Sequence, residues 1–494
     1  MISTLNFALA LLAAAVFYPV YTAIYNIYFH PLKLYPGPKL NAVTRLPYIN
    51  NLIKGNTHRY IQSLHEKYGD VVRVNPDELS YAKDVWRDIY GHRSSGKEAF
   101  EKDAGFLGPD LVGNNGLVRA RGNENHGRIR KVFSHAFSDR ALKDQEPIFQ
   151  QYVDQLVGNI RRMLQQDPKA KVPISDLYNF TTFDVMGDLT FGEPLGLLSN
   201  GKYSAWVAAI FGSLQLVIIG RILRWYPLLN RSFQFLLSKE NKEKRRQQVN
   251  YSVERVDKRL ARGESDRPDI WTCISKQKEE NRLSYPEMQS SASTFMIAGT
   301  ETTATLLSGL TFLLLKYPDV YAKLVHEIRS AFNSADEINM NTLAQMEYTN
   351  ACIEEALRMY PPVPVGMPRV TPSKGAIIGG QPVPAGTVVS ISNLTAYHSE
   401  RNFYLADQFI PERWLGDPRF ASDNKNVLQP FSYGPRNCIG KNLAYHEMRV
   451  VLVKVLYNFE FENLCEESEN WIDQKVWGFW KKPQLMVQLT ERVS

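Results

Sequence analysis

The sequence predicts a mainly α-helical fold with small β-sheets (α+β), one large domain behind an apolar N-terminal helix, and three observations predict it. The first 32 residues contain no Lys, Arg, Asp or Glu. A helical pattern runs from Ser284 to Tyr317. Between Leu40 and Leu260 the patterns are mainly helical, with short strand-like runs such as Val71-Val72-Arg73-Val74 and neither an internal repeat nor a low-complexity segment.

The bulk properties fit a large enzyme. A chain of 494 residues, 44% hydrophobic, can bury a sizeable core. Lys plus Arg exceed Asp plus Glu by 58 to 51, a formal +7 too dilute for a nucleic-acid footprint, so no nucleic acid is expected as a partner. The four cysteines, Cys273, Cys352, Cys438 and Cys465, have neither close pairing nor metal-type spacing. That argues against a disulfide framework or a zinc site and places the folded part in a reducing compartment.

The stretch Leu5 to Phe29 is long enough to cross a hydrocarbon core of roughly 30 Å as a helix, so residues 1–29 are expected to be a transmembrane anchor. A secretory signal peptide would carry its positive charge before the apolar run, whereas here Lys33, Lys39 and Arg45 follow it. A basic flank stays cytoplasmic, which predicts a single-pass protein of the endoplasmic reticulum membrane with its folded domain facing the cytosol. Residues 30–39 carry three prolines and read as a stiff hinge, leaving 40–494 as the folded domain. The charged run Lys239 to Arg262 reads as a solvated helix face.

In the 284–317 pattern, Ser284 and Glu287 have capping-box spacing and Pro318 disfavours continuation. Glu301 at its centre would be costly in lipid, which favours a buried helix of a soluble domain over a second span. The central Ala298-Gly299-Thr300-Glu301-Thr302-Thr303 is a poor helix by propensity. Two readings fit. Small residues at Ala298 and Thr302, four apart on one face, leave room for a flat cofactor and a diatomic ligand. Alternatively, the glycine serves close helix packing.

The segment Phe431-Ser432-Tyr433-Gly434-Pro435-Arg436-Asn437-Cys438-Ile439-Gly440 is more specific. A thiolate held against an iron needs a loop, glycines that let the backbone approach and donate N–H bonds to sulfur, and a nearby cation for carboxylates of the cofactor. Phe431, Gly434, Arg436, Cys438 and Gly440 fix five positions, a chance match of roughly one in three million per window at uniform composition. A cysteine buried only for packing does not account for such neighbours.

The segment resembles, at every fixed position, the cysteine-loop signature of the cytochrome P-450 family, Phe-x-x-Gly-x-Arg-x-Cys-x-Gly. Gly299 to Thr303 is similar to that family's oxygen-activation helix, Glu355-Ala356-Leu357-Arg358 to its Glu-x-x-Arg motif, and Pro411-Glu412-Arg413-Trp414 to the segment whose arginine joins that pair. These appear in family order and the likeness extends over nearly the whole chain. It implies a cytochrome P-450 fold and heme b held through iron by the Cys438 thiolate. It also implies a supporting network of Glu355, Arg358 and Arg413, and Glu301 with Thr302 as an acid–alcohol pair for proton delivery. Propionate contacts carry over to Arg436, Arg369 and Arg130. His126 stands where many members have tryptophan, four residues before Arg130, so an imidazole N–H is expected to replace the indole donor.

The resemblance further implies an O2-dependent monooxygenase that hydroxylates, epoxidises or repeatedly oxidises a lipophilic small molecule, in the manner of membrane-bound fungal secondary-metabolism members. Its pocket would draw on Phe106 to Leu117, Trp206 to Leu229, Phe295, Ala298, Val363, Val365, Met367 and Phe479. No flavin-type Gly-x-Gly-x-x-Gly unit and no iron–sulfur cysteine cluster occurs, so electrons are expected from an NADPH-cytochrome reductase, with cytochrome b5 as an optional second donor. A basic face around Lys131, Arg140, Lys143, Lys441 and Arg449 would steer such a partner. Two alternatives stay open: a heme-thiolate isomerase, dehydratase or ring-closing enzyme, and a non-catalytic membrane heme or ligand carrier.

Overall fold

The computed structural model describes residues 2–492 apart from 94–97, 108–115, 213, 237–249, 252, 264–266 and 276–282. Most of the expected pocket run after Phe106 and much of the Lys239–Arg262 run therefore lie outside the described residues.

The fold is organised around one helix, Tyr285–Lys316. Its 32 residues span about 48 Å. Ser284 and Glu287 close the capping box, the Ser284 N–H donating to Glu287 Oε2 at 2.8 Å. At the other end Tyr317, with φ −126° and ψ 75°, leaves the helix before Pro318. The helix Ile174–Phe191 packs along it and is itself buried except at Asp176. Gly299 permits that approach, because a Cβ there would lie 2.8 Å from the Met186 sulfur. Close packing therefore accounts for the glycine of the poor-propensity stretch, and the helix runs through it without a break.

Helices Asp139–Gln166 and Lys441–Asn458 complete the same core. Four small sheets surround it. The largest, ordered β1-β2-β8-β5-β3, joins β1 (Val71–Asn75), β2 (Glu78–Tyr81), β3 (Glu101–Lys102), β5 (Arg369–Val370) and β8 (Val388–Ile391). A three-stranded sheet pairs β4 (Val172–Pro173), β12 (Met486–Glu491) and β9 (Phe459–Leu464). Two hairpins remain: β6 (Ala376–Ile378) with β7 (Gln381–Val383), and β10 (Val476–Trp477) with β11 (Phe479–Trp480).

At the N-terminus Ile2–Tyr28 is a helix that contains Pro19. Only part of its side chains is described, and among the described residues no single helix is long and apolar enough to cross a membrane. One pair, Ala205–Gly212 with Gln215–Arg224, bent by 43°, has the length and composition together. The proline-rich segment after the first helix is bound rather than free. Arg73 of β1 donates to Asn26 O through its guanidinium and to Pro36 O through its backbone N–H, both at 2.8 Å, while Leu32 is fully buried.

Candidate active site

Cys438 sits on a loop whose backbone only certain residues tolerate. Ser432 and Gly434 have φ of 62° and 74°, and a Cβ on Gly434 would lie 2.0 Å from the Tyr90 carbonyl oxygen. Glycine is therefore required at 434 both by conformation and by space. The loop closes when the Cys438 N–H donates to Phe431 O at 2.8 Å, and Gly440 then caps the helix Lys441–Asn458. Among the four free cysteines Cys438 alone has an exposed side chain, although protein walls its cleft. Burial raises the thiol's pKa, opposed by the Gly440 N–H, Arg130 and Lys441. These are the donors and positive charges that favour a thiolate once a metal takes the sulfur.

Behind the loop, Glu355, Arg358 and Arg413 meet with no exposed side-chain surface. Arg358 Nη2 reaches Glu355 Oε1 at 2.8 Å, and Arg413 Nε reaches the same oxygen at 3.0 Å. The Trp414 indole donates to Oε2 at 2.9 Å. Arg358 also donates to the carbonyls of Tyr397, Ala406 and Gln408, and Arg413 pairs with Asp423. Despite burial the Glu355 carboxyl is held below its ordinary pKa by the two arginines and the Ile410 N–H. The result is a fixed charge cluster tying the helix Glu347–Met359 to the 397–423 meander that leads into the cysteine loop.

A second charge cluster has no such acid. His126 and Arg130 lie one turn apart on the helix Asn123–Ser134, Arg436 is on the cysteine loop, and Arg369 is on β5. Arg130 donates to Asn437 O and Oδ1, both at 2.6 Å, and Arg436 donates to Ala120 O and Gly122 O at 2.8 and 2.9 Å. Lys102 of β3 joins them, its ammonium on the Val118 carbonyl. Burial and then Arg369 and Arg436 push Lys102 down to about 7. Burial, Arg436, Lys102, Arg130 and Arg369 push His126 down to about 3, leaving a neutral imidazole donor at pH 7. Among the described residues none of the four cations forms a salt bridge, and the acid acting on Lys102, Arg369 and Arg436 is the exposed Glu101. A cavity of about 560 Å³ opens between His126, Arg130, Gly434 and Asn437. An open thiol beside cations that are buried at Arg369 and half-buried at Lys102, Arg130 and Arg436, without salt-bridge partners among the described residues, fits a planar metal cofactor with acidic arms.

On the central helix Ala298 is exposed and Thr302 half-buried, with the Thr302 hydroxyl donating to Ala298 O at 2.7 Å. Glu301 is turned elsewhere. Its Oε1 pairs with Lys482, and its Oε2 has no hydrogen-bond partner. The expected acid and alcohol are thus adjacent in sequence but not in contact.

The expected pocket residues divide. Val363, Val365 and Met367 alternate along an irregular segment and are all half-buried, as is Phe479 of β11. Phe106 is half-buried under the Arg221 guanidinium, 4.8 Å from its ring. Phe295 departs from expectation: it is 5% exposed and packs edge-on against Phe133 and Phe137, with ring centroids 4.8 and 5.4 Å away. It acts there as core. Of the expected basic face, Lys131, Arg140, Lys143 and Lys441 are exposed, but Arg449 is half-buried and donates to Asn350 Oδ1 at 2.7 Å. Lys102 and Lys482 belong to no motif, so the sequence alone does not mark them. Only strand pairing and a hairpin more than 170 residues from Glu301 reveal them.

A mainly helical fold that offers one open cysteine on a glycine loop beside a cluster of buried and half-buried cations defines the heme-thiolate class. The chain belongs to the cytochrome P-450 family, whose profile matches residues 36–488. It is 46% identical over 481 residues to the cytochrome P-450 monooxygenase efuB of Hormonema carpetanum, covering 97% of this chain and 95% of that one. It is 44% identical over 471 residues to the cytochrome P-450 monooxygenase FUM2 of Gibberella moniliformis, covering 95% and 99%. To the cytochrome P-450 monooxygenase AMT3 of Alternaria alternata it is 42% identical, covering 95% and 96%. It is a cytochrome P-450 monooxygenase, and the family implies heme on a cysteine thiolate.

Proposed function

We propose that this monooxygenase oxidises a lipophilic small molecule of fungal secondary metabolism, such as a terpenoid or polyketide, using heme b on Cys438, O2 and electrons from NADPH through a separate reductase. The observation that carries the reading is the open Cys438 thiol beside four cations, Arg369 buried and Lys102, Arg130 and Arg436 half-buried, none of which forms a salt bridge among the described residues. Arg130, Arg369, Arg436, Lys102 and neutral His126 would hold the propionates, and Glu355, Arg358 and Arg413 would keep the cysteine loop rigid. Cys438 would hold the heme through its thiolate, and the group so bound would supply the oxygen-activating chemistry. Thr302 holds a hydroxyl at the open face of the helix, and Glu301 is the acid that replenishes its proton.

Supporting a lipophilic substrate are the half-buried Val363, Val365, Met367 and Phe479. Residues 1–29 are assigned as an endoplasmic-reticulum anchor with the folded domain in the cytosol. Supporting this are the uncharged sequence and the exposed Phe7, Phe17, Tyr18, Val20 and Tyr21 of the first helix. Exposed Leu216, Val217, Leu228 and Leu229 would dip into the same membrane and admit substrate.

Expression with a microsomal reductase, followed by mass spectrometry of lipid extracts, is expected to show a product gained by one oxygen or lacking two hydrogens. Cys438→Ala should abolish the red-shifted carbon monoxide band of the reduced protein. Thr302→Ala should divert electrons from product to peroxide. Normal turnover by either variant defeats its assignment.

A further inference from the structure

The contact at this site that no motif announces is made by Lys482. The β10–β11 hairpin turns at Gly478, carries Phe479, and continues through Lys481 to Lys482 and Pro483. Pro483 is tied down by the Trp471 indole, which donates to its carbonyl at 2.8 Å. From there the Lys482 ammonium enters the central helix and donates to Glu301 Oε1 and Thr305 Oγ1. The two charged side chains are 5% and 6% exposed.

Helix geometry gives this contact a consequence. Glu301 and Thr305 are four apart and share one face, whereas Ala298 and Thr302 share another about 100° around the axis. The same carboxylate cannot lie against Lys482 and serve Thr302 at once. One oxygen is gripped and the other, Oε2, is buried without a partner, an arrangement costly unless the group moves or takes up water. A buried ion pair stabilises little over an apolar packing, so its best-attested use is as a register or switching element. Other groups around it are Asp176, which acts on Lys482 from the helix Ile174–Phe191, and Tyr203 and Tyr360, which feel Glu301. Burial lowers the Lys482 pKa, and Glu301 and Asp176 oppose that fall.

We propose that Lys482 is a positioning residue that parks Glu301 away from Thr302, so that proton delivery to the Thr302 hydroxyl requires this ion pair to open. This rests on the reading of Glu301 and Thr302 as the acid–alcohol pair. The parked state keeps proton delivery low while the pocket is empty. Idle turnover, in which NADPH, a proton and O2 go to NADP⁺ and hydrogen peroxide, is thereby restrained.

The test uses the full chain in phospholipid vesicles with a microsomal NADPH-cytochrome reductase and no added substrate. Rates are normalised to the heme that gives the reduced carbon monoxide band. Lys482→Met is expected to raise peroxide release about tenfold, the scale of one coupled contact. Lys482→Arg, which keeps the charge, stays near wild type, and Lys482→Met has no effect in a Glu301→Gln background. A second readout needs no turnover: acetylation of Lys482, followed by peptide mass spectrometry, rises several-fold in Glu301→Gln. Unchanged peroxide release by Lys482→Met, an equal rise in the Glu301→Gln background, or labelling indifferent to Glu301 overturns the proposal. Normal product yield from Glu301→Gln alone would instead overturn the acid–alcohol reading, by a measurement in which Lys482 is intact.

Discussion

Lys102 stands directly opposite Arg369 across the antiparallel β3–β5 pair. Two cations so placed have Cβ atoms about 5 Å apart and repel, and burial strengthens the repulsion. Burial and this repulsion push the Lys102 ammonium down to about 7, and an anion seated there would restore its charge, which suits the pair to the proposed propionate site.

Replacing Lys102 by Met should separate the two effects. The apoprotein gains thermal stability because the repulsion is gone, while the heme-loaded protein loses part of a ligand contact. The gap between their unfolding temperatures narrows. Apo and heme-loaded melting curves, with heme loss followed by absorbance, check this. A gap equal to wild type would show that Lys102 takes no part in holding the cofactor.

The Glu355 cluster has the opposite logic, because its charges are already matched. Glu355→Ala would leave Arg358 and Arg413 fully buried with one carboxylate, Asp423, between them. Breaking a buried pair in this way costs about 3–5 kcal/mol. Little folded, heme-bearing protein is expected from that variant, while Glu355→Gln, which keeps hydrogen bonds, should give an intermediate yield. Yields measured by the reduced carbon monoxide band that match wild type for both variants would contradict the bracing role.

Much of this site was legible because its residues lie in short, contiguous patterns. The capping box at Ser284, the stop at Pro318 and the glycine of the cysteine loop each follow from local backbone rules, and each has its expected partner. What stayed hidden depends on contacts between distant segments. Gly299 is explained by Met186, which periodicity does not bring to mind. Phe295 has the right helix position for a pocket, but Phe133 and Phe137 claim its ring. Glu301 has a motif-level role, while its actual partner Lys482 comes from a hairpin at the far end of the chain.

Three histidines outside the cleft set the response to acid. His58, His65 and His446 are all pushed down to about 4, in each case mainly by burial. Each unfolded imidazole takes a proton near pH 6.5, before the folded one does. Their contribution is thus present above that pH and is lost as pH falls towards 4, on the order of 3 kcal/mol per site. Melting temperatures should decline over that window, and His446→Gln should decline less steeply than wild type. Parallel curves for the two would remove His446 from the account.

Glu447 predicts the reverse behaviour at alkaline pH. It lies on the helix after the cysteine loop, and its two oxygens are buried with only the Thr303 hydroxyl nearby and no well-aligned hydrogen bond among the described residues. Burial pushes its carboxyl up to about 8, with Thr303 of the central helix offsetting only part of the rise. The group is therefore neutral in the folded protein at pH 7, although it would be ionised in the unfolded chain. For an acid whose folded pKa is raised, the folded state binds the extra proton between the two pKa values. Stability then falls as pH climbs from about 4.5 and stops falling on this account once pH passes about 8. Glu447→Gln, neutral at every pH, should escape that decline: its melting temperature relative to wild type should rise steadily from pH 5 to a plateau near pH 9, by the equivalent of a few kcal/mol. A difference that is the same at both ends of the range would mean that Glu447 is already charged in the folded protein, held by an unseen water or ion.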